Sequence, residues 1–168
     1  KDLFNIFDLL KEKKHEIVIY MNDNERQVGM VPDIKDLKNF YELPETLEYL
    51  RNNQKENMFV LMTLVDYHFA MNDYGQTWMA DHYGQQHLSN AFDMIFNTID
   101  KDDFDYIFIF SDHGCKLAEE MKNLNELDLI NDDRTKIVMF VHKKGENELK
   151  FNDKLSSMLD VRPTMNQI

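Results

Sequence analysis

Apolar residues along this chain come in two rhythms. Ile17-Val18-Ile19-Tyr20, Met58 to Val65, Tyr106 to Phe110 and Lys136 to His142 are short, nearly continuous apolar or β-branched runs. Runs of that kind mark strands covered on both faces of a sheet. Between them the spacing changes to that of a helix. Leu3, Ile6, Phe7 and Leu10 predict an amphipathic helix over 2–13, and Lys11, Lys13 and Lys14 suit its C-terminal end. Leu88, Phe92, Ile95 and Ile99 predict another over 84–99. Leu117, Met121 and Leu124 predict a third, and Phe151, Leu155 and Leu159 a last one that stops before Pro163. The polar stretch 22–57, with Pro32 and Pro44, reads as two short helices near 34–41 and 45–53 joined by turns. The stretch from Asp66 to about Gln86 is polar and aromatic and reads as a loop between strand and helix. Strands alternating with helices predict an α/β fold, with a mainly parallel central sheet and helices on both faces, as one domain over 1–168.

Composition narrows the function classes. The 168 residues suffice for one domain with a substantial core. No stretch is long and apolar enough to span a bilayer. The net charge of −12 argues against nucleic acid or an anionic membrane as a nonspecific partner. It does not exclude an anionic small substrate, because a bound metal reverses the local field. The single cysteine excludes an internal disulfide framework. Five glycines are too few for a phosphate-cradling loop, and no Walker or dinucleotide fingerprint is present. Eleven methionines are most simply core filler.

The candidate chemistry sits where the apolar runs end. Phe110-Ser111-Asp112-His113-Gly114 places a carboxylate, an imidazole and a flexible backbone position at the carboxyl end of a strand. Open α/β sheets place their ligands at that end. Asp112 beside a neutral His113 offers two good donors to a divalent metal. The bland alternative is a helix-capping Asp next to an ordinary surface His. Asp66-Tyr67-His68 repeats the placement after the run that ends at Val65; if the two strands are neighbours, His68 and His113 sit at one rim and address one ligand. Taken alone, His68 reads as a strand-end histidine bonded to a carbonyl. Trp78, His82, Tyr83 and His87 could close over a substrate, although a loop pinned to the body by apolar side chains is the better account of them. Asp81-His82 is another Asp-His pair, with no strand before it. Cys115 has no activating base nearby except His113 and reads as a packing residue.

Taken together, the strand running into Ser111-Asp112-His113-Gly114, the earlier strand followed by His68, and the late Asp160-Val161-Arg162-Pro163-Thr164 resemble the sulfatase branch of the alkaline phosphatase superfamily. That branch includes lipoteichoic acid synthases and phosphoethanolamine transferases. The resemblance extends over most of the chain. Asp2 to Tyr20 looks like the family's helix-then-strand segment, with Lys14-His15-Glu16 at the turn. Phe59 to Phe69 looks like its His-bearing strand end, and Asn90 to Asp93 falls on its following helix. Arg134 to Phe140 looks like its Arg-x-Pro-hydrophobic strand, with Lys136 in place of Pro.

The resemblance implies an alkaline phosphatase-like fold in which Asp112 and His113 are metal ligands and His68 contacts the transferred sulfuryl or phosphoryl group or its leaving oxygen. It implies a divalent metal (Mn, Zn or Ca) and a sulfate or phosphate ester substrate, on a glycan or lipid. It places the nucleophile and further acidic ligands upstream of this chain, which contains no Cys- or Ser-x-Pro-x-Arg signature. The chain is thus expected to be an incomplete catalytic domain with little turnover by itself. A non-catalytic α/β binding module of the same descent is the alternative. A response-regulator-like or flavodoxin-like domain would need an acidic cluster or phosphate loop after the first strand, which Met21-Asn22-Asp23-Asn24 matches poorly.

Overall fold

In a computed structural model of the chain, the structure describes residues 6–22, 37–54, 56–115, 135–154, 156–165 and 167. Three parallel strands form the first sheet. β1 (Glu16–Met21) lies in the middle, between β2 (Lys38–Phe40) and β3 (Met58–Thr63). Val18 faces Lys38 on one side and Val60 on the other. A strand in that position has neighbours on both edges and both faces, and from Ile17 to Met21 every residue of β1 is buried.

Helices cover both faces of this sheet. Ile17 and Ile19 pack with Leu10, Ile6 and Phe7 of α1 (Ile6–Glu12), together with Phe59 and Leu61 of β3. Val18 and Tyr20 face the opposite way. They pack with Leu43, Leu47 and Leu50 of α2 (Leu43–Asn52) and with Ala91 and Ile99. The period of two along β1 therefore serves two cores at once. Tyr49 of α2 adds a tie to the start of β1, its hydroxyl donating to Glu16 Oε1 at 2.6 Å. Burial, reinforced by that bond, pushes the Tyr49 hydroxyl up to about 12.

After β3 come two helices, α3 (Asp66–Asp73) and the long α4 (Trp78–Thr98). The stretch expected to be a loop up to Gln86 is thus α3 and the first half of α4. The reason is local. Thr77 caps α4, its Oγ1 accepting from the Ala80 amide at 3.2 Å. The inward positions of this half are Ala80 and Gly84, which carry too little apolar bulk to show as a hydrophobic stripe.

β4 (Tyr106–Phe110) pairs antiparallel with β5 (Met139–Lys143), Phe110 opposite Met139. The fold is α/β with a parallel sheet, as expected, but the described strands form a parallel three-stranded sheet and a separate antiparallel pair in place of one mainly parallel sheet. Asp102, in the 3₁₀ turn Lys101–Asp103, ties the start of β4 to the end of β5. Its carboxylate accepts from the Gly145 amide at 2.8 Å and from Lys101 Nζ at 3.0 Å, and lies 3.3 Å from His142 Nε2.

Two further expectations change. The described part of the helix expected near 34–41 contains β2, because Lys38 to Phe40 pair with β1. The helix expected from Phe151 is also displaced. Phe151 is 86 % exposed, and the helical segment is α5 (Val161–Met165), which contains Pro163 instead of stopping before it. Proline is tolerated in a first turn because its missing N–H would have no partner there. The helix expected over Leu117, Met121 and Leu124 lies outside the described residues.

Candidate functional site

The end of β4 is clamped before it turns outward. Ser111 N donates to the Val138 carbonyl at 3.0 Å, and Ser111 Oγ accepts from Val138 N at 3.1 Å. The chain then leaves the sheet, and Asp112 and His113 follow with side chains 84 % and 51 % exposed. Asp112 Oδ1 accepts from the His113 amide at 3.0 Å, which fixes the carboxylate over its own turn.

The His113 ring is oriented by its own neighbour. Nδ1 lies 2.7 Å from the Gly114 carbonyl oxygen. A carbonyl only accepts, so Nδ1 carries the proton and, in the neutral ring, Nε2 keeps its lone pair. Nε2 lies 3.7 Å from Asp112 Oδ2. An ion bound at about 2.0–2.2 Å from each ligand bridges such a gap. A histidine whose second nitrogen donates to a backbone carbonyl is the usual arrangement of a metal ligand. One carboxylate and one imidazole fit a divalent ion, Mn and Zn better than Ca. Among the described residues, no group of three or more His, Cys, Asp or Glu side chains is placed to hold a metal ion.

The second candidate element sits in the first turn of α3. His68 is exposed, with its ring edge-on to Phe69 at 6.4 Å. Asp66, two residues earlier, is joined to the end of β1, because Asn22 Nδ2 donates to Asp66 Oδ1 at 3.3 Å. The buried Tyr20 hydroxyl faces the same end. Burial first, then the Asp66 and Glu42 carboxylates, push it up to about 12. The carboxyl ends of β1 and β3 therefore adjoin.

The third connection reaches the β4 loop. Tyr67 and Cys115 both pack against the buried pair Met71 and Ala80. The strands before His68 and His113 are not neighbours, since they belong to separate sheets; what connects the two sequence-predicted elements is that the residue before His68 and the residue two after His113 share one small cluster. Cys115 serves that packing.

The remaining candidates divide. Asp81 of the Asp81-His82 pair is engaged: it accepts from the Tyr67 hydroxyl at 2.5 Å and from Gln85 Nε2 at 2.8 Å. Tyr83 stacks on Tyr74 with ring centroids 5.5 Å apart. Trp78, His82 and His87 are exposed along α4.

Sequence reasoning missed two residues, Tyr67 and Gly84. A β-carbon at Gly84 would lie 2.6 Å from Tyr67 Cδ2. The signal was present, since a glycine inside a helix costs about 1 kcal/mol against alanine and so marks a close approach. Comparison of the chain with protein-family models, with curated proteins and with solved structures returns no match.

Proposed function

We propose that this chain is part of a metal-dependent sulfatase-like hydrolase or transferase with an alkaline phosphatase-like fold. Its substrate would be a sulfate or phosphate ester carried by a glycan or lipid. One observation carries the reading: the outward-facing Asp112–His113 pair after β4 and the His68 turn after β3 are joined through the Tyr67 and Cys115 cluster.

Each residue has a role within that reading. His113, with Nδ1–H held by Gly114, presents Nε2 outward as a donor. Asp112 adds a hard, negatively charged oxygen beside it. A divalent ion bound there would polarise the ester and stabilise the charge that develops on its oxygens. His68 would donate an N–H to the transferred group or to its leaving oxygen. The nucleophile and the remaining ligands are assigned, by the resemblance, to a segment preceding this chain.

The test uses a protein that carries that segment. Asp112→Ala and His113→Ala should abolish hydrolysis of aryl sulfate or aryl phosphate and leave the circular dichroism spectrum unchanged. Activity retained in either variant overturns the assignment. The chain by itself should show little turnover. Robust esterase activity from it would contradict the placement of the nucleophile.

A further inference from the structure

Half-buried Tyr67 is held by its own helix α3 and by α4. Its ring lies against Gly84, where an added β-carbon would sit 2.6 Å from Cδ2 and 3.1 Å from Cγ and Cε2. Those atoms belong to a rigid ring and not to the tip of a flexible chain. Its hydroxyl donates to Asp81 Oδ1, and Gln85 holds the other carboxylate oxygen. Met71, one turn further along α3, and the fully buried Ala80 complete the cluster, and Cys115 packs into it. A leucine or phenylalanine would fill the same space. The bond from phenol to carboxylate adds orientation, which packing alone does not need.

We propose that Tyr67 is the positioning residue of the candidate site and that Gly84 is glycine to admit it. The inference rests on reading Asp112, His113 and His68 as one site. The ring locks the first turn of α3 onto α4, which sets where His68 stands. The same cluster seats Cys115, which sets where the loop carrying Asp112 and His113 stands. One side chain thereby fixes the distance between the metal ligands and the histidine that would meet the ester. The residue touches neither the ion nor the substrate and acts through its neighbours.

Cys115 is the only cysteine, so thiol labelling of the native protein reports the seating of the loop directly. Gly84→Ala, which drives a methyl into the ring, should raise the labelling rate about tenfold, equivalent to about 1.4 kcal/mol in the local opening equilibrium. Tyr67→Ala should do the same. The double variant should label no faster than Tyr67→Ala alone, because the collision is gone. Should Tyr67→Ala fail to fold, Tyr67→Leu takes its place and Gly84→Ala carries the test.

The second readout uses substoichiometric Mn²⁺ and the histidine ring signals in NMR. In the wild type, Mn²⁺ should broaden His113 and His68 together. In Gly84→Ala it should broaden His113 while His68 stays sharp. Joint broadening in Gly84→Ala, or an unchanged labelling rate there, overturns the positioning role alone. Broadening of neither ring in the wild type overturns the metal reading, and the positioning role with it.

Discussion

β1 and β4 are both short apolar strands, yet they stand in different surroundings. β1 is paired on both edges and covered by α1 on one face and by α2 and α4 on the other, and five of its six residues are buried. β4 is half-buried along its length, with Phe110 39 % exposed. Its partner β5 leaves Phe140 and Val141 each 53 % exposed, on opposite faces of the ribbon. Similar sequences thus acquire different energetic weight from their neighbours. Burial is concentrated in the first sheet. The candidate ligands hang from the second, held by the paired bonds between Ser111 and Val138 and by the seating of Cys115.

The contrast is open to breakage by mutation. Ile19→Ala removes a side chain that is 1 % exposed and should cost about 3 kcal/mol in urea denaturation. Val141→Ala in the ribbon should cost less than about 1 kcal/mol. Equal costs would mean that the ribbon is as much core as the first sheet. Thr77→Ala removes the cap of α4 and should cost about 1 kcal/mol, read as a lower urea midpoint with the same slope.

The ribbon carries its own electrostatic tie. The Gly145 amide first, then Lys101 and His142, hold the Asp102 carboxyl down at about 2. A depressed carboxyl stabilises the fold above its unfolded value of about 3.9 and loses that contribution as pH falls toward 2. Wild-type stability should therefore decline across that window more steeply than that of Asp102→Asn. The opposite order would show that the carboxylate is not stabilising. The smallest expected effect falls on the site itself. Asp112→Ala and His113→Ala should shift stability by no more than about 0.5 kcal/mol, because both side chains are exposed. Mn²⁺ affinity, measured by calorimetry on the same samples, should fall in both. A large loss of stability would make the pair structural.

What could be read in advance follows from the same contrast. β1, β3 and β4 were legible because their apolar runs are continuous, and α1 because its stripe is regular. β2 was not, since Lys38, Asn39 and Phe40 acquire strand character only by pairing with β1. The first half of α4 was missed because it packs through Ala80 and Gly84. Asp112, His113 and His68 were visible as polar residues placed just after apolar runs. Tyr67 was not, because its importance lies in what it touches across two helices and a loop.

The register of the strands has a kinetic consequence. Val18 pairs with Lys38 and with Val60, and Phe110 with Met139. None of these ladders joins segments adjacent along the chain, so none can zip up from a tight turn. Each must first close a long loop at an entropic cost before its contacts return anything. During synthesis, β1 emerges before β2 and β3, so both of its edges must wait for partners. Unpaired edges of that kind are where a folding chain is open to pairing with another chain.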